Sequence, residues 1–252
     1  MKKKIFLSVV IPCYNEKENL QRGVLTGVEK YLAKQKYASE VIISDDGSTD
    51  SSLEFVEKFT RRHRRFRLLK NPHSGKPFAV RSGINQARGE WVLFTDMDQS
   101  APINQVEKLL PYFNKSSDVV IGSRGRKRPG FSFLRQLASD LFRLFRQALL
   151  LRELIDTQCG FKAFKTKVAQ DLFSRLLIFS EAKKTKGWRV GAFDVELLFL
   201  AQKKGYRIAE VPVKWHDADV SSAKKRKIFK ESQEMLKEIL RVKLNDILGR
   251  YQ

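Results

Sequence analysis

Two aspartates separated by a single residue, Asp96 and Asp98, follow the apolar segment Trp91-Val92-Leu93-Phe94. In an extended segment, side chains at positions i and i+2 point the same way, so the two carboxylates repel each other unless a cation or hydrogen-bond donors compensate. Hard divalent ions prefer oxygen ligands, and Mg²⁺ typically takes one or two carboxylates together with substrate phosphates. Asp98 also precedes a predicted helix that begins near Pro102, which it could cap. The spacing alone leaves a metal site and a capping role both open.

A second acidic pair, Asp45 and Asp46, directly follows the apolar segment Val41-Ile42-Ile43-Ser44. Gly47 suits a turn at this point, and Asp50 suits the cap of the next helix. Neither role requires two adjacent carboxylates at the end of a strand. A carboxylate in this place could instead accept a hydrogen bond from a nucleobase N–H or a ribose hydroxyl, so the pair is a candidate for substrate binding.

The elements that carry these residues alternate along the first half of the chain. Short apolar, β-branched segments predict strands at 5–11, 41–44, 91–95 and 118–122, and the segments between and after them predict helices at 19–34, 51–64, 77–87 and 103–113. Continuous apolar strands that alternate with helices are typical of a mostly parallel sheet covered on both faces. Each predicted strand is followed by polar residues, and ligands of open α/β sheets bind outside the carboxyl ends of the strands. The pattern therefore predicts one crevice that collects these strand ends: 14–16, 45–48, 96–98 and 123–124.

The second half of the chain carries two long amphipathic segments, 131–155 and 228–248, and a short strand predicted at 211–215, where Pro212 favours a sheet edge. Arginines, among them Arg143 and Arg146, are expected on the polar side of the first segment. An ordinary core helix also has this pattern. The apolar run Leu149 to Leu151 and the arginines favour a helix that lies in a membrane interface.

The composition restricts the partners. Lys and Arg number 49 against 28 Asp and Glu, which gives a formal net charge of +21 and implies nucleic acid, an anionic membrane surface or phosphorylated substrates as partners. A nucleic-acid-binding protein would need aromatic platforms or a groove-reading helix. The sequence has neither in recognisable form, and nucleic-acid binding would leave the acidic strand ends unexplained, so we expect no nucleic-acid partner. No window of roughly 18 apolar residues exists, so no transmembrane segment is expected.

Several motifs together resemble the family 2 glycosyltransferases of GT-A fold: "VVIPCYNE" (9–16), "SDDGSTD" (44–50), "NQARGEWVLFTDMD" (85–98) and "GSR" (122–124). Two further motifs, "DTQCGFKAF" (156–164) and "FDVELLFLAQKKGYRIAEVPVKW" (193–215), resemble the subgroup of polyprenyl-phosphate sugar transferases, which includes dolichyl-phosphate β-glucosyltransferase and dolichyl-phosphate mannose synthase. The resemblance implies a single catalytic domain over 1–252, with a nucleotide-sugar-binding half (1–125) and an acceptor half (126–252). It also implies inverting, metal-dependent transfer of a hexose to a polyprenyl or dolichyl phosphate, with UDP-glucose favoured over GDP-mannose as donor.

The resemblance assigns roles residue by residue. Asp96 and Asp98 would bind Mg²⁺ or Mn²⁺ with the donor diphosphate, and Ser100 is a candidate third ligand. Arg124 would face the donor or acceptor phosphates. Lys76 would belong to a phosphate loop in which Pro77 replaces the family's second glycine. The remaining substrate-binding candidates would line the nucleoside pocket or close over the phosphates: Pro12, Tyr14, Glu16, Asp45, Asp46, Ser221 and Lys224.

The acceptor decides whether a general base is needed. A lipid monophosphate, with a second pKa near 6, is largely a dianion at neutral pH and can attack without one. A sugar hydroxyl, the acceptor of an alternative family 2 activity in polysaccharide synthesis, would need a carboxylate base, and Asp156 and Asp194 are the candidates. Both residues are equally expected as buried partners of arginine or of backbone donors. If the acceptor is a lipid phosphate, we expect the protein to attach peripherally to the cytoplasmic face of the membrane.

Overall fold

The computed structural model describes residues 4–113, 115, 117–125, 133–181, 193–220 and 228–251. In these ranges seven strands form one sheet in the order β3-β2-β1-β4-β6-β5-β7. The strands are β1 (Leu7–Cys13), β2 (Ser39–Asp45), β3 (Phe66–Lys70), β4 (Trp91–Thr95), β5 (Val119–Ser123), β6 (Phe161–Lys165) and β7 (Ile208–Pro212). β6 runs antiparallel to its neighbours β4 and β5, whereas the other strand pairs of the described sheet are parallel.

Helices cover both faces of this sheet, which confirms the predicted fold class. They are α1 (Lys17–Gln21), α2 (Val24–Ala33), α3 (Ser52–Arg62), α4 (Lys76–Asn85), α5 (Val106–Phe113), α6 (Phe133–Leu149), α7 (Thr166–Arg175), α8 (Ile178–Glu181), α9 (Phe193–Lys203) and α10 (Ile228–Ile247). A short 3₁₀ turn, Ile103–Gln105, precedes α5. The single helix predicted over 19–34 is two helices, because Gly23 adopts a φ of 80° and breaks the segment.

Alternate side chains of the central strands pack into two hydrophobic clusters, one on each face of the sheet. Val10 of β1 packs with Val80 of α4 and Phe94 of β4, while Val9 and Ile11 pack in a second cluster with helices of the other face. The first cluster also contains buried residues of α7, α9 and α10. The second half of the chain therefore completes both the sheet and its core.

Two expectations for the amphipathic segment 131–155 are wrong. Arg146 does not lie on a solvated polar side: it is buried, and its guanidinium donates to the carbonyl of Leu154 at 2.6 Å and to Oγ1 of Thr157 at 2.6 Å. Leu151 lies in the core beyond the end of α6 and is fully buried. Both differences have one cause: α6 ends at Leu149, and the following loop packs back against the helix. Arg146 donates hydrogen bonds to the backbone of that loop. In the described part of the chain, no helix is both long and apolar enough to cross a membrane.

Candidate active site

The carboxyl ends of β1, β2, β4 and β5 lie on one edge of the sheet, as the sequence predicts. β1, β2 and β4 are parallel, and β5 has the same direction because it and β4 are both antiparallel to β6. The two strand ends with the acidic pairs thus share this edge with the end of β5, which carries Arg124. β6, which the sequence does not predict, lies between β4 and β5.

Asp96 is the more open of the two aspartates that follow β4. Its Oδ1 lies 2.5 Å from Nζ of Lys76, the first residue of α4, and its side chain is 35% exposed. Asp98 is buried, and its Oδ1 accepts the backbone N–H of Ser100 at 2.8 Å. The backbone turn between them includes Gln99 at a φ of 52°. Asp96 is therefore the more accessible of the two carboxylates.

Gly160 lets a loop approach Asp96 closely. Phe161 pairs with Thr95 across β6 and β4, which places Gly160 beside the acidic turn. A Cβ atom at position 160 would lie 2.0 Å from Oδ2 of Asp96, well inside van der Waals contact. Only glycine fits there without displacing the carboxylate.

The acidic turn has the oxygen donors that a hard divalent ion prefers. Two carboxylates are a common protein contribution to a Mg²⁺ site that substrate phosphates complete. Among the described residues no group of three or more His, Cys, Asp or Glu side chains is arranged to hold a metal ion. The two carboxylates of the turn could hold such an ion together with substrate oxygens.

Ser100, the candidate third ligand, holds a neighbouring segment. Its Oγ accepts the N–H of Ala218 at 3.2 Å, and its carbonyl accepts the N–H of His216 at 3.0 Å. Residues 213–220, which follow β7, are thereby fixed against the acidic turn. Metal binding by Ser100 stays a prediction. Ser221 and Lys224, expected to close over the phosphates, lie just beyond this segment and outside the described residues.

The tandem aspartates after β2 shape two loops. Oδ1 of Asp46 accepts the N–H of Ser74 at 2.9 Å and Oδ2 accepts that of Gly75 at 2.8 Å, so Asp46 fixes the backbone directly before Lys76. Asp45 accepts the N–H groups of Gly47 and Ser48. Both carboxylates are buried. A direct contact of either with a nucleobase stays a prediction, whereas their role in shaping these loops is visible.

His73 is a site residue that sequence reasoning missed. Its ring stacks on Tyr14 at 4.2 Å between centroids, and its Nδ1 lies 2.8 Å from Oδ2 of Asp46. Within the described structure its buried Nε2 has no hydrogen-bond partner. Its position three residues before Lys76, a predicted phosphate-binding residue, is the sequence feature that could have identified it.

Two other predicted nucleoside contacts lie near this stack along the chain. Pro12 is buried within β1, where it pairs with Ser44. Glu16 is buried and accepts Nδ2 of Asn19 at 2.7 Å. The structure thus places His73 in contact with both Tyr14 and Asp46, while Pro12 and Glu16 are buried on either side of Tyr14 in the sequence.

Arg124 and Asp156 form a bidentate ion pair. Nε and Nη2 of Arg124 each lie 2.7 Å from a different carboxylate oxygen of Asp156. Burial opposes the charge of Arg124, but the hydrogen bonds and charge of Asp156 outweigh it and raise the pKa of Arg124. Trp215 lies against the guanidinium, with its ring centroid 5.5 Å from Cζ. Residues 156–160 thus connect Arg124 at one end with Asp96 at the other.

Asp194 pairs with a lysine that sequence reasoning also missed. Lys162 is fully buried in β6, with Nζ 2.7 Å from Oδ1 of Asp194 and 2.5 Å from the carbonyl of Cys159. Burial, helped by the charge of Asp156, raises the pKa of the Cys159 thiol to about 12, so this cysteine stays uncharged at neutral pH. The pairing of Asp156 and Asp194 with cations favours the structural alternative that the sequence left open for both residues.

Comparisons with known proteins identify the family of the chain. The family description "Glycosyl transferase family 2" matches residues 8–173. The chain is 36% identical to the dolichyl-phosphate beta-glucosyltransferase of Dictyostelium discoideum, over 97% of this chain and 76% of that protein. It is 35% identical to the protein of the same name from Saccharomyces cerevisiae, over 99% and 77%. The human protein of that name is 32% identical, over 98% and 77%.

Solved structures of low sequence identity share the fold. The mannosyl-3-phosphoglycerate synthase of Rubrobacter xylanophilus superposes with a TM-score of 0.64 at 15% identity, over 98% of this chain and 75% of that one. A mannosyltransferase from Pyrobaculum calidifontis, in complex with GDP-Man and Mn²⁺, gives a TM-score of 0.58 at 17% identity, over 95% and 65%. These glycosyltransferases have the GT-A fold, which confirms the predicted architecture.

The family match covers well over half of the chain, and it includes the acidic turn and the loop before Lys76. The Arg124–Asp156 pair also lies within the family match. The curated relatives cover 97% and 99% of this chain, so the similarity continues into its C-terminal part. The chain is therefore a glycosyltransferase that belongs to family 2, in the group of the dolichyl-phosphate beta-glucosyltransferases.

Proposed function

We propose that this enzyme transfers a glucosyl residue from a nucleotide-diphospho-glucose, with UDP-glucose the favoured donor, to a polyprenyl or dolichyl phosphate. One observation carries the proposal. The loop 156–160 packs against Asp96 through Gly160 and binds Arg124 through Asp156, so the acidic turn and a half-buried arginine belong to one site. The names of the most similar curated relatives support glucose and the lipid phosphate.

The main barrier to such a transfer is the negative charge that develops on the departing diphosphate. Lys76 lies at the N-terminus of α4, where the helix dipole adds to its positive charge. Arg124 supplies a second fixed cation from the end of β5. Asp96 and Asp98 would hold Mg²⁺ or Mn²⁺, which would supply a further positive charge to the diphosphate. Complexes of low-identity neighbours with Mn²⁺ support divalent metal use, without deciding between the two ions.

The lipid phosphate is favoured over a hydroxyl acceptor by the state of the two candidate bases. Asp156 has both carboxylate oxygens in hydrogen bonds with Arg124, and Asp194 is paired with the buried Lys162. Each of the two carboxylates is thus already held by a cation. A phosphate dianion needs no proton acceptor, so a site in which both candidate bases are held by cations suits it. Transfer to a saccharide hydroxyl is the alternative activity.

Attachment to a membrane surface is part of the proposal, because the acceptor is a lipid. α6 and α10 pack against each other, and both expose leucines, among them Leu137, Leu141 and Leu144 of α6 and Leu240 and Leu244 of α10. Exposed leucines at helical spacing, on a protein with a net charge of +21, suit an interface with anionic headgroups. The enzyme would then bind peripherally, with α6 and α10 against the lipid.

A transfer assay tests the proposed function. Labelled UDP-glucose and labelled GDP-mannose are each offered with polyprenyl phosphate or with soluble saccharides, and the label that enters the organic phase is counted. We expect glucose label in the organic phase only when polyprenyl phosphate is present. Label that stays in the aqueous phase on a saccharide would support the alternative and contradict the lipid acceptor. Mannose label in the organic phase would contradict UDP-glucose as the donor but support the lipid phosphate as the acceptor.

A further inference from the structure

A cavity of about 510 Å³ lies between α4, the α7–α9 region and the C-terminal residues, and none of the candidate active-site residues lines it. Its cationic lining comes from three separate elements: Arg81 of α4, Arg175 at the end of α7, and Arg250 after α10. Among the described residues that line it, none is acidic. The rest of the lining is mostly apolar, with Leu177, Phe179 and Leu200 among it.

The arginines are held in place by neighbours. The guanidinium carbon of Arg81 lies 4.5 Å from the ring centroid of Phe179, a cation–π contact. Nε of Arg175 donates to Asp171 at 2.8 Å, while the side chain remains 42% exposed. Nη1 of Arg250 donates to Asn245 at 3.0 Å. Fixed guanidinium groups that surround a concave surface are the usual protein means of binding a phosphate.

Arg250 also lines a second cavity, of about 380 Å³, on the surface of α10. Leu240, Leu244 and Leu248 form its apolar side, and all three are exposed. The basic cavity and this apolar groove therefore adjoin at Arg250, the residue that lines both. A ligand that fills the two together must have an anionic group at one end and a hydrocarbon chain at the other.

We propose that an anionic phospholipid binds here, with its phosphate among Arg81, Arg175 and Arg250 and an acyl chain along the α10 leucines. Neither Arg124 nor Lys76 lines either cavity, so this lipid is distinct from the sugar acceptor. It would hold α4, which begins at Lys76, and the C-terminal end of α10 against the same membrane. The inference rests on the proposed membrane attachment for the supply of the lipid, but the chemistry of the two cavities stands without it.

Calorimetric titration of the full chain with soluble short-chain lipids tests the site. We expect dihexanoyl phosphatidic acid to bind, and dihexanoyl phosphatidylcholine and inorganic phosphate to bind at least about tenfold more weakly, because each lacks one of the two recognised features. The double variant Arg81→Gln/Arg175→Gln should weaken phosphatidic acid binding about tenfold, and Arg250→Gln should weaken it in the same direction.

A control double variant on the opposite side of the sheet, Lys34→Gln/Lys36→Gln, removes the same charge and should leave phosphatidic acid binding unchanged. Binding of UDP-glucose, measured on the same samples, should be unchanged in all variants, which separates this site from the donor site. The proposal is overturned if phosphatidic acid does not bind, if inorganic phosphate binds as tightly, or if the arginine variants bind the lipid as the wild type does. None of these outcomes depends on whether glucose is transferred.

Discussion

Lys76 and Asp96 form an ion pair, with Nζ and Oδ1 2.5 Å apart, between the first turn of α4 and the end of β4. Asp46 fixes the loop before Lys76, and Gly160 gives the loop 156–160 access to Asp96. The loop before Lys76, the turn after β4 and the loop 156–160 therefore meet at this ion pair. Because both side chains are only partly exposed, the pair lies at the wall of the crevice rather than on the open surface.

Replacement of Gly160 by alanine should damage catalysis more than folding. The new Cβ would collide with Oδ2 of Asp96 and displace the carboxylate, so we expect kcat/KM to fall by about a hundredfold, in line with the effect of a misplaced catalytic group. Steady-state kinetics and thermal unfolding measure the two effects.

The matched control for that change is Gly27→Ala in α2, where a new Cβ meets nothing within 4 Å. It should leave kcat/KM unchanged and stabilise the protein by up to about 1 kcal/mol, since alanine is the better helix former. Wild-type kinetics in Gly160→Ala would show that the position of the Asp96 carboxylate does not limit the reaction.

His73→Ala should weaken donor binding. Loss of the ring removes the stack on Tyr14 and the contact with Asp46, so we expect the dissociation constant for UDP-glucose to rise about tenfold. His63→Ala is the control, because His63 also stacks on an aromatic ring, that of Phe59, but at the end of α3. Equal affinities in the two variants would remove His73 from the donor site.

Glu40→Gln should reduce stability in a pH-dependent way. Glu40 accepts hydrogen bonds from Ser8 and Arg88 and pairs with Arg67, at the end of the sheet away from the crevice. Burial alone would raise the pKa of Glu40, but the bonds from Arg88 and Ser8 outweigh it and lower the pKa below its ordinary 4.5. The stabilising effect is therefore present above the unfolded-state pKa and is lost as the pH falls through the lower folded-state pKa.

Urea unfolding measures this effect. At neutral pH we expect Glu40→Gln to lose about 2 kcal/mol of unfolding free energy, and the difference from wild type to shrink as the pH falls below 4.5. Glu54→Gln, which breaks an exposed pair with Lys58, should cost less than about 0.5 kcal/mol. A difference that is constant from neutral to acid pH would contradict the role of the Glu40 charge.

Leu141→Glu combined with Leu244→Glu should weaken membrane attachment. Both leucines are exposed, on α6 and α10, and a carboxylate at each position would oppose insertion into an anionic surface, so we expect at least about a tenfold loss of affinity for vesicles. Co-sedimentation with anionic vesicles measures it. Phe55→Glu changes a partly exposed apolar residue on α3 and should have little effect. Unchanged sedimentation of the double variant would mean that these helices do not face lipid.

The common edge of the strand ends could be predicted from the sequence because continuous apolar strands, alternating with helices, constrain the direction of a parallel sheet. The position of β6 between β4 and β5 could not be predicted from the sequence. Its five residues, Phe161–Lys165, contain two lysines, and a fully buried Lys162 contradicts the hydrophobic pattern by which strands are recognised. The close contact of Gly160 with Asp96 depends on the antiparallel pairing of β4 and β6, so the sequence did not predict it either.

Arg146 shows the same limit for helices. Its position in the amphipathic pattern of α6 predicts a solvated side chain. Its partners are carbonyl groups and the Thr157 hydroxyl of the loop that follows, and periodicity contains no information about such loops. His73 was missed for a related reason, since its stacking partner Tyr14 is 59 positions away in the sequence.

The central claim, that the acidic turn and Lys76 bind the diphosphate of the donor, is tested most directly by calorimetric titration with UDP-glucose. In Mg²⁺ the wild type should bind, and chelation, Asp98→Asn or Lys76→Gln should each weaken binding by at least about tenfold. Asp246→Asn, which breaks a surface pair with Lys203, should bind as the wild type does. Equal affinity for UDP-glucose in Asp98→Asn, Lys76→Gln and the chelated wild type would contradict the account.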